Sequence, residues 1–218
     1  MVSVCIIGAG GIGSHLCRSL IPALSRGDLV RELGGVEVVV FDSDIVSDSN
    51  LAHQGFSPSS IGMAKVLALE SSLSEFGSQW IQLTGRNEDL RREDSLCGFD
   101  FVVVCVDSPS ARIVVHERGG KWLDLRCRGD CFVALDYRLA SDVVSNMTDR
   151  WQIGGSCQHE GAIESGNIQF GHLAAATHGC QWVIQELRAT STERALPPIP
   201  KAHSITFGTL EKLGPLDE

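Results

Sequence analysis

VSVCIIGAGGIGSHLCRSL, residues 2–20, carries an apolar run straight into a glycine-rich turn. Val2 to Ile7 is a short, largely β-branched run of the kind buried in a parallel strand. Gly8, Gly10 and Gly13 follow at GxGxxG spacing. Gly8 permits a tight turn, Gly10 lets backbone approach a phosphate, and Gly13 lets the next helix, predicted from about Ser14, pack closely on the strand. The start of that helix offers unpaired N–H groups and a partial positive charge to an anion. Gly11 adds flexibility without specificity. The glycine spacing alone is a weak signal; the strand before it and the helix after it make it read as a nucleotide-binding turn.

Working outward, VEVVVFDSDIVSDSNLAHQ, residues 36–54, reads as a second strand with an acidic end and a polar loop. Asp42 closes the strand where a Rossmann-type fold places a carboxylate to accept hydrogen bonds from ribose hydroxyls. Its separation from the glycines exceeds the usual ~20 residues, and Leu24 to Gly35 accounts for the excess as a longer crossover. The competing reading makes Asp42 a turn residue, and Asp44 a turn or helix cap. The first helix, to Leu24, has Leu16, Leu20, Ile21 and Leu24 at helical spacing, with Pro22 bending or ending it.

Further along, the pattern predicts a helix over Ile61–Phe76, a strand over Ser78–Leu83, a charged surface segment over Arg86–Asp94 and a buried strand over Phe99–Val106. Strands over Trp122–Leu125 and Cys131–Tyr137, the second antiparallel, precede a polar crossing loop over Ser141–Ile153. The last helix spans His172–Leu187, where Ala174, Ala175, Ala176 and Gly179 permit close helix packing or a dimer contact. The expected class is α/β: an open, mostly parallel, Rossmann-like twisted sheet with helices on both faces and an antiparallel extension near the C-terminal half. A nucleotide-binding domain over 1–188 is followed by a tail over 189–218 punctuated by Pro197, Pro198 and Pro200.

DSDIVSDSNLAHQGFSPSSIGMAK, residues 42–65, resembles the signature of the E1-like adenylating enzymes, the ubiquitin-activating enzymes and their bacterial relatives in thiamin and molybdopterin biosynthesis. The match rests on Asp42, Asn50, Gln54, Gly62 and Lys65, and continues in FDFVVVCVDSPSAR, residues 99–112, with Asp107 and Arg112. The resemblance implies ATP as cosubstrate, Lys65 on its phosphates, Asp107 helping to hold Mg²⁺, and a polar network from Asn50 and Gln54. Gly8, Gly10, Gly11, Gly13, Asp42, Asp44, Asn50, Lys65 and Asp107 would then bind the nucleotide. Hard carboxylate and phosphate oxygens suit Mg²⁺. Read alone, Asp107 is also placed to cap the helix that Ser108-Pro109 begins.

The reaction implied is acyl adenylation: the C-terminal carboxylate of a small ubiquitin-like or sulfur-carrier protein, or of a peptide with a C-terminal Gly, attacks the α-phosphorus of ATP and displaces pyrophosphate. Some relatives pass the acyl group to a cysteine. Cys157, beside His159 in a glycine-rich loop, is the best placed here, because a nearby imidazolium lowers a thiol pKa; an incidental cysteine is the competing reading. Relatives are homodimers, and a homodimer is expected. Two departures make a catalytically reduced nucleotide- or partner-binding scaffold the alternative. His53 stands where the family carries Arg, and the chain begins at its first strand, without the segment that in dimeric relatives sends an Arg into the neighbouring site. An NAD-dependent oxidoreductase would explain the glycines and Asp42 but leaves Asn50 to Lys65 unexplained.

Bulk properties agree with one enzyme-sized core: 218 residues, 43% hydrophobic and 21% charged. A net charge of −9 and a pI near 5.2 argue against nucleic acid or an anionic membrane as partner. No apolar run approaches spanning length and no secretory pattern precedes Val2, so a cytoplasmic protein is expected. The eight cysteines include no CxxC pair, so the paired-CxxC structural zinc of many E1-like relatives is not expected here.

Overall fold

Strand residues alternate between faces, so Val4, Ile6, Val38 and Val40 pack on one side of the sheet while Cys5, Ile7, Val39 and Phe41 pack on the other. The computed structural model describes residues 1–90, 96–148 and 155–191, and the backbone of 202–204. In chain order it contains β1 (Val2–Ile7), α1 (Gly11–Leu24), α2 (Leu29–Glu32), β2 (Val36–Phe41), α3 (Lys65–Leu73), β3 (Ile81–Arg86) and β4 (Phe101–Val104). These are followed by α4 (Pro109–Glu117), β5 (Lys121–Arg128), β6 (Cys131–Asp136), α5 (Ser141–Met147), α6 (Gly171–Ser191) and β7 (Ala202–Ser204).

The strands form one sheet in the order β3-β2-β1-β4-β5-β6-β7. Pairing is parallel from β3 to β5 and antiparallel from β5 to β7. The strand order reverses at β1 and β4, and in such sheets ligands lie beyond the carboxyl ends of the strands at the switch point. Leu16, Leu20, Leu69, Trp182 and Leu187 from α1, α3 and α6 cover one face; Val115 of α4 and Val144 of α5 help cover the other. Gly179 is where α6 meets α1 and β5: an added Cβ would stand 2.7 Å from both Leu16 Cδ1 and Leu125 Cδ1. The small residues of α6 therefore serve packing within the chain. Among the described residues no helix is long and apolar enough to cross a membrane.

Several boundaries differ from expectation. α1 starts at Gly11 rather than Ser14, because packing of Gly13 onto the turn outweighs the poor helix propensity of glycine. α3 starts at Lys65 rather than Ile61: Gly62 has φ of +85°, and Ala64 bridges to Ile45 in extended conformation, which delays the helix by a turn. The strands expected over Ser78–Leu83 and Phe99–Val106 are Ile81–Arg86 and Phe101–Val104, matching the span their neighbours pair with. The crossing loop expected over Ser141–Ile153 contains α5, whose only buried residue is Val144, too sparse an apolar face to signal a helix; residues 149–154 lie outside the described set. α6 runs through the expected 188/189 boundary to Ser191, and β7 pairs antiparallel with β6. The proline-punctuated part of the tail, and residues 91–95 of the charged segment, lie outside the described residues.

Candidate functional site

The chain leaves β1 through Gly8, whose φ of +98° is a left-handed conformation that favours glycine. Gly13 has no room for a side chain, since a Cβ there would collide with the Gly8 carbonyl oxygen. A Cβ on Gly10, by contrast, would meet nothing within 4 Å, so the backbone there is open to an approaching group. The first-turn amides of α1 have no partner within the helix and face the carboxyl ends of the strands.

Asp42, just past β2, accepts hydrogen bonds from the Ala9 amide at 2.6 Å on Oδ2 and from the Asp44 amide at 2.8 Å on Oδ1. It therefore fastens the glycine turn to the end of β2. Burial pushes its carboxyl above the usual carboxylate range, against the pull of those two amides and of Lys65. A carboxylate has about four lone-pair positions, so two remain for a further donor. Lys65, at the start of α3, is 6% exposed and its Nζ lies 2.8 Å from Asp44 Oδ2. A cavity of about 320 Å³ opens here, lined among others by Phe41, Asp42, Asp44, Val106, Asp107 and Ala111. Asp107 enters it from beyond β4. The cap of α4 is Ser108, whose hydroxyl accepts from the Ala111 amide at 3.5 Å, so Asp107 is not tied up as a helix cap. Arg112 turns inward to the Val106 carbonyl at 2.8 Å and to Asp124.

The polar loop after β2 is held over α1. Asn50 spends its Oδ1 on the Ser47 amide at 2.9 Å, closing a single turn of 3₁₀ helix, and keeps its amide N–H₂. His53 is 9% exposed, and Gln54 Nε2 lies 3.4 Å from its Nε2. Burial, and then Lys65, hold the His53 pKa below the ordinary imidazole value. Two residues that the sequence reading passed over fix this loop. Ser14 Oγ donates to Gly10 O at 2.6 Å and accepts from the Gly55 amide at 2.9 Å, while Arg18 Nε donates to Gly55 O. Both lie on α1 beside the glycine pattern, and that adjacency was the available signal.

Cys157 reaches the same place from the far end of the sequence: a Cβ on Gly11 would lie 3.5 Å from its Sγ. Its thiol is held below the ordinary value by a hydrogen bond from the Cys127 thiol, with help from Arg112 and against burial and Asp107. His159, the expected cause, instead packs on Gly129, where a Cβ would come 2.6 Å from its Nε2. The structure thus gathers Gly8, Gly10, Gly11, Gly13, Asp42, Asp44, Lys65 and Asp107 at one edge of the sheet, with His53, Gln54 and Cys157 flanking the helix start and Asn50 supporting the loop. Among the described residues, no three His, Cys, Asp or Glu side chains are grouped closely enough to hold a metal ion by themselves.

A family model described as "ThiF family" matches residues 1–195. Ubiquitin-like modifier-activating enzyme 5 of Drosophila melanogaster is 25% identical over 141 residues, covering 56% of this chain and 32% of that protein. Adenylyltransferase and sulfurtransferase UBA4 of Meyerozyma guilliermondii is 30% identical over 115 residues, covering 51% of this chain and 25% of that protein. The chain thus spans a third or less of these curated relatives. Among solved structures, E. coli MccB with MccA-N7isoASN superposes with a TM-score of 0.61 at 20% identity, over 95% of this chain and 64% of that one. PaaA gives a TM-score of 0.61 at 15% identity, over 94% of this chain and 64% of that one. At these identities the likeness to the solved structures is one of fold.

Proposed function

This chain belongs to the ThiF family, and on that premise we propose that it is an ATP-dependent adenylyltransferase. It would join the C-terminal carboxylate of a ubiquitin-like or sulfur-carrier protein, or of a peptide, to AMP. The observation that carries the reading is convergence: Lys65 holds Asp44, and Asp44 shares one cavity with Asp42 and Asp107 beside the glycine turn. Solved MccB carries ATP in one structure and AMPCPP together with MccA in another, which supports the same two occupants here.

The chemistry needs alignment and charge neutralisation more than a base, because a C-terminal carboxylate is already ionised at neutral pH. Its oxygen forms the new bond to the α-phosphorus as the bond to the pyrophosphate oxygen breaks. Asp42 accepts from ribose hydroxyls with its spare lone pairs, the first-turn amides of α1 and the Lys65 ammonium face the phosphates, and Gln54 and the Asn50 amide complete the polar wall. Asp107 would hold Mg²⁺. One carboxylate completed by phosphate oxygens suits that ion. When bound, the ion neutralises phosphate charge. The family resemblance also carries a cytoplasmic homodimer into this reading.

Carboxylate-dependent exchange of labelled pyrophosphate into ATP tests it, using ubiquitin-like proteins and peptides ending in Gly-Gly. Exchange that disappears in Lys65→Ala and Asp107→Ala is the expected outcome. A second reading, a nucleotide- or partner-binding scaffold with reduced catalysis, is favoured by the low pKa of His53 at the family's Arg position. ATP binding without exchange, whatever carboxyl end is offered, would establish it in place of the first.

A further inference from the structure

Two of the free thiols meet where the end of β5 passes the start of α1. Alternation along β5 puts Leu123, Leu125 and Cys127 on the sheet face that α1 and α6 cover. β4 pairs with β5 only as far as Asp124, so the last residues of β5 run on beyond it. Cys157 arrives there on the segment 155–170. The Gly129 amide donates to its carbonyl at 2.8 Å, and its Sγ and Cβ lie 3.5 and 3.6 Å from where a Cβ on Gly11 would stand. Both cysteines are partly buried, and the Cys127 thiol donates a hydrogen bond to the Cys157 sulfur.

The pair is chemically unequal. Cys127 is held well above the ordinary thiol value by the bond it gives to Cys157 and by burial, whereas Cys157 is held below it by the same bond, helped by Arg112 and opposed by burial and Asp107. The first turn of α1 adds a partial positive charge, which favours a thiolate at a helix start. One sulfur is thus set up as the nucleophile and the other as the resolving thiol. The remaining cysteines differ. Cys5, Cys17 and Cys105 lie in the core and are pushed up by burial, and Cys180 is pushed up to about 12, with its Sγ on the Leu16 carbonyl at 3.5 Å. Cys97 and Cys131 are exposed. A reachable, acidified thiol with a second thiol beside it is what oxidation by peroxide selects, while thiols buried in apolar surroundings are inert.

We propose that Cys127 and Cys157 are a hydroperoxide-oxidisable pair whose disulfide ties the segment 155–170 to the end of β5 beside the glycine turn. The Cys157 thiolate attacks one oxygen of the hydroperoxide, the O–O bond breaks, the alcohol or water leaves with a proton from solvent, and Cys157 becomes a sulfenic acid. Cys127 then attacks that sulfur, gives up its proton and expels hydroxide, which leaves as water. Two thiols lose two electrons and two protons, and the hydroperoxide gains them. A dithiol reductant reverses the bond by exchange through a mixed disulfide. Since Cys157 touches the start of α1, the same event removes a free thiol from the rim of the glycine turn, whatever the chain binds there.

Mass spectrometry of the full chain, reduced and then treated with hydrogen peroxide, tests the proposal. The expected product is an intramolecular disulfide, lighter by two hydrogens, that maps to Cys127 and Cys157 in a non-reducing digest and disappears with dithiothreitol. Cys127→Ser should stop at a Cys157 sulfenic acid that dimedone traps. Cys157→Ser should slow oxidation of Cys127 by about tenfold or more, a decade for each pKa unit between the two thiols. The bridge closes a loop of about 30 residues, which should raise the thermal midpoint by about 5–10 °C. A bridge that maps to any other pair, or a Cys157 that peroxide oxidises no faster than the exposed Cys97, overturns the proposal. The mapping uses the unaltered chain, so a serine variant that fails to fold leaves the test intact. None of these readouts depends on nucleotide, so the thiol pair and the adenylation reading stand or fall separately.

Discussion

The molecule holds two sets of carboxylates that a composition count cannot tell apart. Asp42, Asp44 and Asp107 stand just beyond the ends of parallel strands and line one open cavity. Asp124, Asp136 and Glu186, in the half with antiparallel pairing, are at most 1% exposed. Asp124 meets Arg126 at 2.6 Å, His116 at 3.1 Å and Arg112 at 3.5 Å. Asp136 accepts from Arg138 Nε at 2.7 Å and Trp182 Nε1 at 3.1 Å, and Glu186 from Lys121 at 2.8 Å and Tyr137 at 2.9 Å. The first set, though Asp42 meets two amides and Asp44 meets Lys65, still lines an open cavity. The second spends its charge on neighbours, tying β5, β6, α4 and α6 together. The contrast is one of exposure and counter-charge: the second set is buried against cations, the first stands open.

The largest expected effect breaks this distinction or secures it. Asp124→Asn leaves the Arg112 and Arg126 guanidiniums buried without a counter-charge, an expected loss of about 3–5 kcal/mol in urea unfolding. Asp107→Asn, at an exposed position, should stay within about 0.5 kcal/mol of the unaltered chain. Equal losses at the two positions would erase the contrast. The order reverses when activity is the measurement. Lys65→Ala should lower pyrophosphate exchange by about 10²–10³, the usual effect of removing one group that stabilises transition-state charge. Its ion pair with Asp44, whose side chain is 68% exposed, makes the stability change small.

How far the two sets could be separated from sequence depends on the range of their contacts. Gly8 and Asp42 each follow directly on an apolar strand, and Asp107 closes the apolar run that contains β4, so the pattern that names the strand also places the residue beyond its end. The site edge was legible for the same reason, whereas the strand order came only from the packed chain. Asp124 sits inside a strand like any other residue, and nothing local says that Arg112 and Arg126 will fold onto it. His15 and His172 are far apart in the chain yet in ring contact, and neither belongs to a motif. Cys157 was singled out for its neighbour His159, whereas the thiol that lowers its pKa is Cys127, on a strand laid beside it by the fold. Sequence periodicity reports elements and their ends; pairings between side chains on separate elements appear only once the chain is packed.

Acid separates the buried charges from the buried imidazoles. Burial pushes the Asp124 carboxyl up, but His116, Arg126 and Arg112 outweigh it and hold the carboxyl below its ordinary 3.8, so its contribution is lost only as pH falls below that value. His172 is pushed from 6.5 to about 4, chiefly by burial and then by His15 and His53. Between those two values the unfolded chain binds more protons at this position than the folded one, so stability falls as pH drops from 6.5 to 4. At ~1.4 kcal/mol per pKa unit, the loss is about 2–3 kcal/mol. Urea midpoints at pH 7 and 4.5 should record it. A flat profile across that window would mean that the imidazoles ionise as freely in the fold as outside it.

The smallest effect probes the joint between the open edge and the packed face. Ser14 is fully buried, and its hydroxyl both donates to Gly10 O and accepts from the Gly55 amide. Ser14→Ala removes the acceptor, and loss of such a hydrogen bond costs about 1 kcal/mol in unfolding experiments. Arg18 still holds Gly55 O, so the loop loosens without detaching. Since that loop delivers His53 and Gln54, the loosening should weaken ATP by a larger factor than AMP if, as proposed, Asp42 takes the ribose and the glycine turn the first phosphate. Equal weakening of the two nucleotides would mean that Ser14 shapes the glycine turn itself and has no separate influence on the polar loop above it.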